Sequence, residues 1–271
     1  MPSPTPALAV VPARWASARL PGKPLRPLLG RPLVLWVWER AVASGRFARV
    51  VVATDHPAVA DAVMAAGGEA VLTRADHPSG TDRLAEVVRR PPYDAFERIV
   101  NVQGDEPFVE PAHLDALLPL LERFPLATLA TPLRSRRAWR SPHVVKVVRG
   151  DDGRALLFTR APVPWPRDAA PDWNSGLFLR HLGLYAYRRE ALLAWAALPE
   201  HPLERTERLE QLRPLAAGWP IGVAIVAAPH PGVDTAADLA RAERRLRAER
   251  RASSAHIDRQ AHPTSQNAAD P

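Results

Sequence analysis

Three cations, Arg14, Arg19 and Lys23, fall within the segment PARWASARLPGKP. Arginine grips phosphate oxygens through a planar fork and lysine meets them as a compact point charge. Such a loop can hold a polyphosphate through its side chains, or be an ordinary basic surface loop. Neither G-x-G-x-x-G nor G-x-x-x-x-G-K-[ST] occurs in the chain, which excludes a dinucleotide or Walker-type cradle. Two carboxylates follow apolar runs: Asp105 in Gly104-Asp105-Glu106-Pro107, and Asp234 in Gly232-Val233-Asp234-Thr235. A carboxylate just beyond a strand suits a hard divalent cation. The first segment is equally a turn, and Thr235 with Asp238 matches a capping box. Thr235 can cap a helix while Asp234 faces a cleft, so the two readings are compatible. In Leu179–Tyr187 a period of two puts His181, Gly183, Tyr185 and Tyr187 on one face, and the glycine leaves a gap for a polar ligand. Glu210 and Gln211, in LERTERLEQL, can meet sugar hydroxyls or form a solvated helix face.

These residues need a scaffold, and the apolar pattern supplies one. Leu8–Pro12 and Arg49–Thr54 are unbroken apolar runs of the kind found in buried parallel strands. Further strands are expected at Glu69–Leu72, Ile99–Gln103, Leu126–Thr131, Leu179–Tyr187 and Ile221–Ala227. Helical spacing marks Leu33–Ala43, Pro57–Ala66, Thr81–Arg90, Pro111–Arg123, Glu190–Ala197, Leu203–Ala217 and the stretch from Ala236 onward. His143–Arg149 and Arg154–Thr159, joined by Gly150-Asp151-Asp152-Gly153, read as a β-hairpin, and a proline-rich loop spans Ala161 to Asn174. Alternating strands and helices predict an α/β fold with a mostly parallel sheet and a small antiparallel excursion. The expected organisation is one domain over 1–250, with an inserted substrate-facing subdomain at about 132–187 and a disordered tail over 251–271. In such sheets ligands bind beyond the carboxyl ends of the strands, where the candidate residues lie.

Composition narrows the class. The chain has 271 residues, 46% of them apolar, enough for a sizeable core. It has no cysteine, which removes disulfides, thiolate metal sites and cysteine nucleophiles, and suits a reducing cytoplasm. No apolar stretch approaches the roughly 20 residues needed to cross a bilayer, and the first residues lack a signal-peptide pattern. The net charge of +7 raises the question of nucleic acid. Residues 241–271 carry seven Arg against four acidic residues, so +3 of the excess is terminal, and no nucleic-acid motif accompanies it. Of 36 basic residues only Lys23 and Lys146 are lysine.

Taken in order, PARWASARLPGKPL, VVATD, TRADHPSGTDRLAEV, IVNVQGDEP, VVKVV, FTRAPVPW, FLRHLGLYAY, PLERTERLEQLR and GVDT resemble the 3-deoxy-manno-octulosonate (Kdo) cytidylyltransferases, also called CMP-Kdo synthetases. The resemblance runs from about Ala9 to Leu246. It implies a Rossmann-like nucleotidyltransferase sheet of the nucleotide-diphospho-sugar transferase type. It also implies transfer of CMP from CTP to the anomeric hydroxyl of Kdo, with release of pyrophosphate, a requirement for Mg²⁺, a cytoplasmic homodimer and a place in lipopolysaccharide synthesis. Carried over by position, Arg14, Arg19 and Lys23 would bind the triphosphate. Arg74, Ser79, Gly80, Thr81 and Gln103 would shape the cytidine pocket. Asp105 and Asp234 would hold the metal and, with Lys23, carry catalysis. Arg160, His181, Tyr185, Glu210 and Gln211 would recognise Kdo. No nucleic acid and no membrane insertion are expected.

Trp15 stands where the resemblance would place tyrosine and His143 where it would place asparagine, and the loop between Pro166 and Asn174 is short. A cytidylyltransferase for sialic acid or an amino-substituted Kdo is the nearest alternative, and PGKPL favours Kdo. A catalytically silent nucleotide-binding or nucleic-acid-binding protein would lack the carboxylates at the strand ends, whereas both are present.

Overall fold

The computed structural model describes residues 6–17, 19–227 and 232–261. Strand β1 (Ala7–Pro12) leads through a one-turn helix at Lys23–Leu25 into a short ribbon, β2 (Pro27–Leu28) with β3 (Arg31–Pro32), and then α1 (Leu33–Ala43). β4 (Arg49–Thr54), α2 (Pro57–Ala65), β5 (Glu69–Leu72), α3 (Gly80–Val87) and β6 (Arg98–Asn101) follow. Next come α4 (Pro111–Leu117), β7 (Leu126–Pro132), α5 (Arg136–Arg140), β8 (Lys146–Arg149), β9 (Ala155–Thr159) and β10 (Leu179–Arg188). The described chain closes with α6 (Arg189–Ala197), α7 (Pro202–Glu207), α8 (Leu212–Ala216), β11 (Ile221–Ile225) and α9 (Ala236–Ala261).

The main sheet runs β11-β7-β10-β6-β1-β4-β5. All pairings are parallel except those of β10, which runs antiparallel to both β6 and β7. Side-chain alternation separates two cores. Leu8 and Val10 of β1 pack with Val51, Leu84, Tyr185 and Tyr187 on one face. Ala9 and Val11 pack with Val34, Val37, Val52 and Val63 on the other. The hairpin β8–β9 joins the main sheet where Leu179 and Arg180 pair with β8, and its turn meets β11 through a bridge between Arg154 and Gly222. The last strand of the expected 132–187 insertion, β10, thus lies in the middle of the main sheet.

Two expectations need correction. The segment expected as one helix over Leu203–Ala217 is broken into α7 and α8 by Arg208, whose φ of +51° puts it in the left-handed region. A buried Glu204–Arg213 ion pair of 2.7 Å ties the halves across the break. The final helix continues to Ala261, past residue 250 where a tail was expected, because Arg- and Ala-rich sequence propagates helix well. Residues 262–271 of that expected tail lie outside the described residues.

Neighbours of β1 diverge, toward β4 on one side and β6 on the other, which makes the β1/β6 seam a topological switch point. The loops leaving β1 and β6 open a crevice there. A Cβ on Gly104 would lie 2.5 Å from the Pro12 carbonyl oxygen, so only glycine lets the two loops approach this closely.

Candidate active site

A cavity of about 410 Å³ fills this crevice. Its lining includes Arg14, Arg19, Lys23, Ser79, Gly80, Gln103, Asp105, Glu210 and Asp234. Residues from five separate stretches of chain thus meet at the carboxyl ends of β1, β5 and β6.

The floor of the cavity is a set of opposed charges. Lys23 Nζ donates to Asp105 Oδ2 and, at 2.9 Å, to Asp234 Oδ1, and Arg19 reaches the same Asp234 oxygen at 3.0 Å. Burial pulls the Lys23 pKa down, but the charges and hydrogen bonds of Asp105 and Asp234 outweigh it and hold the pKa above its ordinary 10.5. The two carboxylates converge on one cation. They are hard oxygen donors, and no cluster of three or more such ligands exists among the described residues. A protein that offers one or two carboxylates and leaves the remaining positions to water and substrate phosphate suits Mg²⁺. The donor set fits that ion.

Local structure orients both carboxylates. Asp105 sits on the tight turn after β6, where Glu106 N–H donates to the Gln103 carbonyl at 3.0 Å. Asp234 precedes α9, whose cap is reciprocal: Asp238 N–H donates to Thr235 Oγ1 at 3.2 Å, and Thr235 N–H to Asp238 Oδ2 at 2.9 Å. Asp234 N–H donates to the same Asp238 oxygen at 3.2 Å. Capping and a cleft-facing Asp234 therefore coexist.

On the opposite wall, Ser79 caps α3 by accepting from Asp82 N–H at 3.1 Å. Thr81 lies just behind the lining and donates to Glu210 Oε2 at 3.0 Å. Glu210 sits in the break between α7 and α8 and faces inward, and Gln211 beside it is buried with Nε2 lacking a hydrogen-bond partner. A solvated helix face is excluded for this pair. Burial raises the Glu210 pKa above 4.5 against the hydrogen bonds of Thr81 and Ser79, which lower it.

Other candidates lie outside the cavity lining. Arg74 turns to solvent and pairs with Asp76 at 2.9 and 2.5 Å. The Arg160 guanidinium is held by the carbonyls of Glu207 at 2.6 Å and Pro142 at 2.8 Å. His181 Nε2 is 3.0 Å from Thr128 Oγ1, and its ring meets Phe158 at 5.0 Å and Tyr185 at 5.5 Å. Tyr185 is buried and pairs in register with Asn101 at the end of β6. The gap expected at Gly183 is faced by Glu106, whose Oε1 lies 3.6 Å from where a Cβ would sit. Sequence reasoning passed over Ser17, His77 and Arg83, which also line the cavity. The signal was available, since His77 and Arg83 fall inside TRADHPSGTDRLAEV.

Comparison with known proteins follows the same outline. A family model described as cytidylyltransferase matches residues 8–221. A 3-deoxy-manno-octulosonate cytidylyltransferase of Syntrophotalea carbinolica is 50% identical over 88% of this chain and 98% of its own length. One from Gemmatimonas aurantiaca is 50% identical over 88% of this chain and 93% of its own. A CMP:2-keto-3-deoxy-manno-octonic acid synthetase solved with CTP superposes with a TM-score of 0.83 at 43% identity, covering 90% of this chain and 99% of that one. A 4-diphosphocytidyl-2C-methyl-D-erythritol synthase from Anaerococcus prevotii, 12% identical with a TM-score of 0.59 over 90% of this chain and all of its own, shares the fold.

Proposed function

The chain belongs to the 3-deoxy-manno-octulosonate cytidylyltransferase family, and on that premise we propose that it transfers CMP from CTP to the anomeric hydroxyl of Kdo, releasing pyrophosphate. The observation that carries this reading is the convergence of Arg14, Arg19 and Lys23 with Asp105 and Asp234 in one cavity at the switch point. The substrate hydroxyl is the nucleophile, so the protein needs none. An O–P bond forms at the α-phosphorus as the hydroxyl gives up its proton to solvent, the bond to the β-phosphate oxygen breaks, and pyrophosphate leaves with the electron pair.

Catalysis then rests on positioning and charge neutralisation. Arg14, Arg19 and Lys23 hold the triphosphate and offset charge that builds on the departing pyrophosphate. Ser79, Gly80 and Gln103 border the nucleoside, with Thr81 and Arg74 supporting that wall. Glu210 and Gln211 meet the sugar, with Arg160, His181 and Tyr185 framing its side of β10. Asp105 and Asp234 would hold Mg²⁺, which when bound supplies Lewis-acid activation of the hydroxyl and screening of phosphate charge. A cytoplasmic homodimer acting in lipopolysaccharide synthesis fits this reading. No helix among the described residues is long and apolar enough to cross a membrane.

The test is pyrophosphate release with CTP and Mg²⁺, offering Kdo, 8-amino-Kdo and N-acetylneuraminate in parallel. Release with Kdo is expected, and silence with all three would overturn the assignment. Omitting Mg²⁺ should abolish release.

A further inference from the structure

One buried ion pair beside the cavity has no part in the chemistry above. The Arg83 side chain is 3% exposed and that of Asp55 8%, and Arg83 Nη2 lies 3.2 Å from Asp55 Oδ2. Buried pairs of this kind are weak sources of net stability, because desolvation consumes most of the attraction. What this pair does is join walls. Asp55 Oδ1 accepts the Trp15 N–H at 2.8 Å, next to Arg14 at the start of the cationic loop. Arg83 Nη1 donates to Thr73 Oγ1 and, at 3.2 Å, to the Arg74 carbonyl, on the segment that leads to Ser79 and Gly80. Both terminal nitrogens of Arg83 are thus engaged by protein, although the residue borders the cavity.

Trp15 carries the link to the far end of the loop. Its ring stacks on His56 with centroids 4.0 Å apart and planes 18° apart. It also lies under Gly22, where a Cβ would come within 3.2 Å of the indole. Gly22, at φ +63°, is the residue before Lys23. One aromatic ring therefore braces both ends of the segment that bears Arg14, Arg19 and Lys23.

We propose that Asp55, Arg83 and Trp15 are positioning residues that hold the cationic loop in its phosphate-binding shape and tie it to the nucleoside wall. This rests on the nucleotide reading of the cavity. A loop pre-ordered by the protein loses little freedom when the triphosphate arrives, so loosening the brace should weaken contacts to the β- and γ-phosphates and spare those to the nucleoside and α-phosphate.

The test compares CTP and CMP affinities by calorimetry, with Mg²⁺, for the wild type and for Trp15→Ala, Trp15→Tyr and Asp55→Asn. Trp15→Ala and Asp55→Asn should bind CTP about tenfold more weakly while CMP stays within about twofold, as expected for lost pre-organisation. Trp15→Tyr keeps a ring between His56 and Gly22 and should bind both nucleotides as the wild type does. If Asp55→Asn fails to fold, Asp55→Asn with Arg83→Gln removes both buried charges and takes its place. Unchanged CTP affinity in both Trp15→Ala and the Asp55 variant would overturn the proposal. So would a parallel fall in CTP and CMP affinity, which is what a general loss of structure produces. A wild type that binds no CTP would overturn the nucleotide reading itself, and the proposal with it.

Discussion

The two lysines show why residue type matters at a given spot. Lys23 Nζ lies between Asp105 and Asp234, where a compact ammonium can donate to both. Lys146 is fully buried, with its ammonium held by the carbonyls of Ser141, Val144 and Arg160 at 2.9, 2.5 and 2.6 Å. Three donors at one point meet three acceptors, a match that the flat guanidinium fork lacks. These are the two positions at which this arginine-rich chain carries lysine. Asp105 allows a direct check at the same scale. Asp105→Asn keeps the side chain's shape and removes its charge, so turnover should fall roughly 10²-fold or more, the scale for losing a charge-stabilising group. Nucleotide binding should survive through Arg14, Arg19 and Lys23. Near-normal turnover in steady-state assays would remove Asp105 from the reaction. Asp105 was legible in the sequence as a carboxylate past a strand. Arg83 falls inside the TRADHPSGTDRLAEV segment, but its burial and its link to Asp55 come from the tertiary packing.

Among the elements, the turn after β6 and the exit of β1 act as one unit. Gly104 touches the Pro12 carbonyl so closely that any side chain must displace backbone on one loop or the other. Gly104→Ala should therefore cost about 1–3 kcal/mol of stability, the usual range for overpacking. It should also impair turnover by shifting Asp105, its neighbour in sequence. A variant with unchanged melting temperature and full activity would show that the loops have slack. The strand β10 and the break at Arg208 belong to this scale too. The period of two in Leu179–Tyr187 announced two faces, and both are present: Leu182, Leu184 and Ala186 on one, Tyr185 and Tyr187 on the other. Helical spacing in Leu203–Ala217 concealed the break. Leucines at similar intervals satisfy one long helix or two short ones, and both Pro214, which has no N–H to donate, and the buried Glu204–Arg213 pair favour the second.

At the scale of the whole molecule, all three tyrosines are buried. Burial raises the pKa of each above its ordinary 10.0, and for Tyr93 a hydrogen bond from its hydroxyl to Glu69 adds to the shift. An acid whose folded pKa is raised keeps its proton in the native state after the unfolded chain has lost it. Stability from these groups is complete below pH 10 and declines as pH climbs through their folded values. Lys23, with its pKa held above 10.5, adds to the same decline, while Lys146, lowered by burial, opposes it. Unfolding should therefore set in above about pH 10, where free tyrosine ionises. Tyrosinate absorbance should rise in step with loss of circular dichroism. Absorbance that rises well before unfolding would show the tyrosines to be open to solvent.

Local signals decided much of this protein: the apolar runs that became parallel strands, the Thr235–Asp238 cap, and the carboxylates and cations stationed at strand ends. Each depends on residues within a few positions of one another, so a single sequence carries it. Tertiary structure decided the rest. It put β10 antiparallel between β6 and β7, turned Glu210 inward, sent Arg74 out to Asp76, and joined Arg83 to Asp55 and Trp15. The inward turn of Glu210 and the Arg83–Asp55–Trp15 link are contacts between residues tens of positions apart. For the placement of β10 and the outward turn of Arg74, what counts is which surfaces the surrounding packing covers. No periodicity or motif records such a choice before the chain has folded.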